Sequence, residues 1–150
     1  MTTRTNPAAG ALQAANALRR SVSHLARHLR TLRADHGVSL GKVSLLARLH
    51  RAGRPMTATE LAARERLQPQ SLTRLIADLE QRGLIRRTPD ESDRRHLWID
   101  IAPKGSELLR SDARRQNAWL ARAMAERLTP AERDTLRAAA ALLERLADED

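Results

Sequence analysis

Two short helical segments separated by a tight break, and followed at once by two extended arms, constrain the fold more than any other feature of the chain. The first segment, MTATELAARERL, opens with Thr57 and Glu60, which have the spacing of a capping box. The second, QPQSLTRLIADLEQRG, carries Pro69 in its first turn, where a missing N–H costs nothing, and stops at Gly83. Its apolar residues recur with helical spacing and predict a buried stripe of Leu72, Leu75, Ile76 and Leu79.

The two arms, LIRR and HLWIDI, are predicted strands, and the polar stretch TPDESDRR between them is the predicted loop. A short helix joined by a tight turn to a second helix is typical of the DNA-binding helix-turn-helix unit. A hairpin directly after that unit is typical of the wing of a winged helix. The sequence therefore predicts a mainly α fold with a small β-hairpin, in which residues 37–103 form a winged helix-turn-helix.

Helical patterns flank this unit on both sides. Residues 1–10 are polar and small and are predicted to be flexible, and helices are predicted over residues 11–36 and, after Pro103, over residues 104–147. Their apolar residues exceed what one winged helix needs, and a monomer would expose them as a large patch, so they are predicted to be dimerisation helices. The first helix has a heptad seam of Leu18, Val22, Leu25, Leu29 and Leu32, and the last has a stripe of Leu136, Ala140, Leu143 and Leu146.

The charge of the chain favours a polyanionic partner. Its formal net charge is +9, and of 27 lysine and arginine residues only Lys42 and Lys104 are lysine. Codon bias in a GC-rich genome explains the excess of arginine over lysine, but it does not explain the net charge. The guanidinium group suits phosphates and guanine edges.

The helical segment QPQSLTRLIADLEQRG carries the candidate base contacts. In helix-turn-helix proteins the N-terminal part of the recognition helix meets base edges in the major groove, where Arg and Gln make bidentate contacts to guanine and adenine. An ordinary solvated helix face is the alternative. The candidates, which lie opposite the apolar stripe or at the N-terminal end, are Gln68, Gln70, Ser71, Thr73 and Arg74.

The predicted hairpin loop carries a second set of candidates. Arg94 and Arg95 are adjacent, so on an extended segment their side chains point opposite ways. One can enter a narrow A·T-rich minor groove, while the other can take a phosphate or fold back. Asp93 can accept from one guanidinium and orient it, although a solvated turn with unrelated charges is the alternative.

The segment SLTRLIADLEQRGLIRRTPDESDRRHLWIDIAPKG resembles the signature of the MarR family of bacterial transcriptional regulators. The family pattern has a recognition helix that ends in a leucine, an acid and RGL, and a wing with an Asp-Arg-Arg tip. Ala102 and Pro103 depart from the Leu-Thr of the family at the next helix start. The matching residues are Leu72, Thr73, Arg74, Leu79, Glu80, Arg82, Gly83, Leu84, Asp93, Arg94 and Arg95.

The resemblance covers about residues 11–147 and implies a homodimer with interlocked N- and C-terminal helices that acts as a repressor on a palindromic operator. Half-sites about 10 bp apart are expected. The resemblance also implies a pocket for a small aromatic or anionic effector. Low-specificity candidates for this pocket are Trp98, Trp119, and the pair His24 and His28, whose spacing can also hold a metal ion in a metal-responsive regulator. Core or interface roles for all of these residues are the alternative.

Other classes are disfavoured by what the sequence lacks. There is no cysteine, no Gly-rich phosphate loop and no nucleophile motif, so neither an enzyme nor a bound cofactor is predicted. No apolar run approaches a membrane span and the first residues lack a signal-peptide core, so a soluble cytoplasmic protein is expected. A non-specific architectural DNA-binding protein remains the rival interpretation.

Overall fold

The computed structural model describes residues 7–65, 68–91, 93 and 96–147. The chain is mostly helical, with a small antiparallel sheet. In chain order the elements are α1 (Pro7–Thr31), α2 (Leu40–Ala52), β1 (Met56–Thr57), α3 (Ala58–Glu65), α4 (Pro69–Gln81), β2 (Ile85–Pro89), β3 (Leu97–Ile101), α5 (Pro103–Arg127) and α6 (Pro130–Ala147). Contacts divide the chain into two compact units. One is Arg33–Ala113, called the winged unit below, and the other combines Met1–Leu32 with Arg114–Asp150.

The structure differs from the sequence-based expectation at both ends of α1 and in the sheet. Helix α1 ends at Thr31 and not at residue 36. Residues 7–10, expected to be flexible, belong to α1, because Pro7 is tolerated in a first helical turn. The predicted hairpin is part of a three-stranded sheet in the order β1-β3-β2, in which Met56 pairs with Ile99. A strand of two residues has no alternating pattern of its own, so β1 could not be predicted from the sequence.

The winged unit has an apolar core to which each of its elements contributes. The stripe predicted on α4 is buried at Leu72, Ile76 and Leu79, and Leu75 packs against the core. The capping box that starts α3 is formed, because the Glu60 N–H donates to Thr57 Oγ1 and the Thr57 N–H donates to Glu60 Oε2. The other buried residues of this core are Val38, Leu45, Leu46, Leu49, Met56, Leu61, Leu84, Ile85 and Ile99.

The second unit contains α1, α6 and the C-terminal part of α5. Thr129 and Glu132 form a capping box at the start of α6, with the Thr129 N–H 2.7 Å from Glu132 Oε2. None of the residues of α6 is buried within the chain. Large apolar side chains on both terminal helices are exposed, namely Leu12, Leu18, Val22 and Leu25 of α1 and Leu136, Leu142, Leu143 and Leu146 of α6.

Candidate nucleic-acid interface

Helix α4 presents a polar face outward. Its buried stripe faces the core of the winged unit, and the side chains on the opposite side are exposed. Within the described part of the chain no carboxylate pairs with the guanidinium of Arg74, so its charge remains available to a partner. The orientation predicted for α4 is therefore the one observed, while contact with DNA stays a prediction. The predicted contact residues, all exposed, are Gln68, Gln70, Ser71, Thr73 and Arg74.

Ion pairs hold the C-terminal half of α4 in place. Asp78 Oδ2 lies 2.7 Å from Lys42 Nζ of α2 and 2.7 Å from Arg82 Nε. The hydrogen bond from Lys42 is the main cause that lowers the pKa of Asp78. At the end of the helix Gly83 has a φ of 70°, and the Leu84 N–H donates to the Leu79 carbonyl at 2.9 Å. These contacts fix the direction in which α4 presents its polar N-terminal face.

A further ion pair connects α4 to the wing. Glu80 of α4 pairs with Arg87 of β2, and the hydrogen bond from Arg87 lowers the pKa of Glu80. On the same strand Arg86 lies opposite Asp100 of β3, with 3.5 Å between its NH2 nitrogen and Asp100 Oδ2. Both arginines of β2 therefore have partners within the protein, and the two arms are fastened to each other and to α4.

The wing loop runs from Asp90 to His96. The Asp90 N–H donates to the His96 carbonyl at 2.9 Å, and the His96 N–H donates to the Asp93 carbonyl at 2.9 Å. His96 Nδ1 lies 3.3 Å from Asp93 Oδ2. Arg94 and Arg95 lie outside the described residues, and so does the expected pair between Arg94 and Asp93.

The candidate effector residues fall into both units. On α1, His24 is exposed. The centre of the His28 ring lies 4.2 Å from the centre of the Trp119 ring on α5. Trp98 lies on β3 of the winged unit and donates its indole N–H to Asp90 Oδ2 at 2.7 Å. Among the described residues no three His, Cys, Asp or Glu side chains cluster closely enough to hold a metal ion.

No described helix is both long and apolar enough to cross a membrane.

The first and last residues of the winged unit form a buried polar cluster, which joins Arg33, Ala34 and His36 to Asp112. This cluster was not predicted from the sequence. Asp112 of α5 is 5% exposed and accepts from Arg33 Nε at 2.8 Å, the Ala34 N–H at 3.1 Å and His36 Nε2 at 3.1 Å. The Val38 N–H donates to His36 Nδ1, so the ring hydrogen of a neutral His36 is assigned to Nε2, facing Asp112. The sequence contained one signal of this cluster. Asp112 follows Leu109 by three residues and Leu108 by four, which places its carboxylate on the inner face of α5 beside these partly buried side chains.

A helix-turn-helix with an exposed polar second helix, followed by a wing, defines a winged-helix DNA-binding protein. The family model described as MarR family matches residues 38–97. The chain is 40% identical over 129 residues to an uncharacterized HTH-type transcriptional regulator of Mycobacterium bovis, covering 86% of this chain and 89% of that relative. The chain thus belongs to the MarR family, and it is a DNA-binding transcriptional regulator rather than an enzyme.

Solved structures agree with this assignment. The chain is similar to the crystal structure of a putative transcriptional regulator from Pseudomonas aeruginosa, with a TM-score of 0.81 and 34% identity over 96% of this chain and 99% of that one. It is also similar to a MarR family transcriptional regulator from Streptomyces coelicolor in complex with DNA. There the TM-score is 0.59 and the identity 26%, over 99% of this chain and 94% of that one.

Proposed function

We propose that this protein is a cytoplasmic, ligand-responsive repressor that binds a palindromic operator as a homodimer. The observation that carries the proposal is the polar, solvent-facing side of α4, where Arg74 and the neighbouring glutamines lie opposite the buried Leu72, Ile76 and Leu79. Arginine and glutamine are side chains that discriminate guanine and adenine in the major groove. The S. coelicolor relative, which was crystallised with DNA, supports this use of the fold.

The wing is the second proposed contact. Its two strands are fastened to α4 through Glu80 and Arg87, so recognition helix and wing would approach DNA together. Arg94 and Arg95 are the proposed minor-groove and phosphate contacts, and Asp93 is the proposed partner that orients Arg94. A net charge of +9 would speed association with DNA and make binding depend strongly on salt.

Exposed apolar side chains on α1 and α6 support the homodimer. Leu18, Val22 and Leu25 on α1 are 40%, 45% and 43% exposed, and Leu146 on α6 is 74% exposed. A second copy of the chain would remove this apolar surface from water. Two winged units related by a two-fold axis would then read half-sites about 10 bp apart.

The dimer is tested by sedimentation. At low micromolar concentration the measured mass should be close to twice the 16.8 kDa of the chain. Replacing Val22 by aspartate should shift the mass toward that of the monomer. Operator binding should weaken in parallel, because the proposed dimer that binds the operator depends on the apolar seam of α1. A wild-type monomer that binds a palindrome with full affinity would contradict the proposal.

A cavity in the winged unit supports a response to a small anion. It has a volume of about 290 Å³, and it combines the apolar walls of Leu84 and Leu108 with the basic Lys104 and the acidic Glu107. His36 also lines it, but its two ring nitrogens already bond Asp112 and the Val38 N–H. Leu84 and Leu108 suit the apolar body of a small molecule, and Lys104 suits one acidic group that lies away from Glu107. The candidate pair His28 and Trp119 in the other unit is an alternative place for such a molecule, with His24 one turn away on α1.

Arg74→Ala tests the recognition helix. The variant should lose about 1–3 kcal/mol of binding free energy on the operator and should lose preference at one base pair in each half-site. The matched control is Arg137→Ala on α6, which removes the same charge from an exposed side chain paired with Asp134. Titrations of both variants against the operator and its single-base-pair substitutions give the comparison. Equal affinity and equal preference in the two variants would mean that Arg74 does not read a base.

A further inference from the structure

Asp90 is the centre of the wing loop. Its Oδ1 accepts the Asp93 N–H at 3.0 Å, and its Oδ2 accepts the indole N–H of Trp98 at 2.7 Å. Its own N–H donates to the His96 carbonyl. One carboxylate therefore connects the start of the loop, the middle of the loop and the strand that follows it.

Trp98 is the anchor of this arrangement. It lies on the central strand β3, opposite Thr57 of β1 and Thr88 of β2, and its side chain is half-buried. An indole N–H can only donate, and a bond of 2.7 Å to a carboxylate has the length of a charge-assisted hydrogen bond. Asp90 is thereby hydrogen-bonded to β3, the strand that pairs with a neighbour on both sides.

An acid at the base of a DNA-facing loop is unfavourable on charge alone, because it repels phosphates. If the Asp90 carboxylate acted only through its charge, it would weaken DNA binding. If it shapes the wing loop, it would strengthen DNA binding. These two roles predict changes of opposite sign in DNA affinity when the carboxylate is removed.

We propose that Asp90 and Trp98 form a positioning pair for DNA binding, in which their hydrogen bond sets the direction in which the wing loop leaves the sheet. Neither side chain touches DNA in this proposal. The pair acts by aiming the loop that carries Arg94 and Arg95, so it rests on the wing contact proposed above.

The test compares Asp90→Ala with Glu91→Ala, which removes the same charge from the neighbouring exposed residue. Asp90→Ala removes the acceptor of both the Trp98 indole N–H and the Asp93 N–H, and it should bind the operator at least about three- to tenfold more weakly than wild type. Glu91→Ala should bind as tightly as wild type or more tightly. Trp98→Phe keeps an aromatic ring and loses only the indole donor, so it should also bind more weakly than wild type, but by no more than Asp90→Ala. The double variant should be no weaker than Asp90→Ala alone within about twofold.

Fluorescence gives a second measurement that needs no DNA. In a Trp119→Phe background Trp98 is the only tryptophan, so its emission reports the bond directly. Asp90→Ala should shift that emission, and Glu91→Ala should leave it unchanged. An unchanged emission in Asp90→Ala, operator binding at least as tight as in Glu91→Ala, or full additivity in the double variant would each overturn the pair. If Arg74→Ala still loses affinity in that case, only the positioning pair is lost and the proposed function stands.

Discussion

Replacing Asp112 by alanine is expected to lower the free energy of unfolding by about 3 kcal/mol or more. The side chain of Asp112 is 7% exposed and that of Arg33 is 12% exposed, so the pair is shielded from water. Removing the carboxylate leaves Arg33 Nε and the N–H of Ala34 without their acceptor in a confined space, and the guanidinium keeps only a long bond of 3.4 Å to the Val38 carbonyl. Urea unfolding with unchanged m-values would measure the loss.

The matched control is Glu107→Ala on the same helix. Glu107 pairs with Arg110 at 3.0 Å, but both side chains are more than half exposed. Such a pair contributes less than about 1 kcal/mol, so the control should unfold close to wild type. Equal losses in Asp112→Ala and Glu107→Ala would show that the buried cluster adds nothing beyond a surface ion pair.

The contribution of Asp112 should also depend on pH. Burial acts to raise the pKa of Asp112, but hydrogen bonds from Arg33, His36 and Ala34 outweigh it, and the pKa lies below its ordinary value. A carboxyl whose pKa is lower in the folded state stabilises that state above its unfolded pKa of about 3.9. The stability difference between wild type and Asp112→Ala should therefore be full at neutral pH and should shrink as the pH falls below about 4.

Gly105→Ala is expected to destabilise the protein by about 3 kcal/mol, at the upper end of the range for overpacking. A Cβ at Gly105 would lie 2.2 Å from the Leu84 carbonyl oxygen and 3.0 Å from Ile101 Cγ1. The carbonyl belongs to the backbone and already accepts the Ala102 N–H, so it cannot move aside cheaply. The start of α5 would have to shift away from the beginning of β2.

Gly41→Ala provides a control of opposite sign. Gly41, like Gly105, lies in the first turn of a helix, but a Cβ there would meet nothing within 4 Å. Replacing it should stabilise the protein by up to about 1 kcal/mol, because alanine loses less backbone entropy on folding. Thermal unfolding of the two variants should therefore shift in opposite directions. Shifts of the same sign would mean that the close approach at Gly105 does not limit the packing.

Features set by neighbours in the sequence could be predicted. The capping boxes of α3 and α6, the stop at Gly83 and the buried stripe of α4 all depend on residues within one or two helical turns. Because the stripe defines the opposite face, the exposure of Gln70 and Arg74 followed from it. These local patterns were sufficient to predict the winged helix-turn-helix.

Features set by distant partners could not be predicted in the same way. Strand β1 is defined by pairing with β3, and Asp112 lies 79 residues after Arg33. Trp98 was a candidate effector contact, but its hydrogen bond to Asp90 depends on the shape of the loop between them. Such contacts follow from tertiary packing, which one sequence does not reveal.

Sequence-specific operator binding is measured by a specificity ratio. The affinity for the DNA upstream of the protein's own gene should be compared, at one fixed salt concentration, with that for a scrambled duplex of equal length and composition. The claim predicts a ratio of about 10³ or more. A ratio near one would contradict it and would favour a non-specific architectural protein.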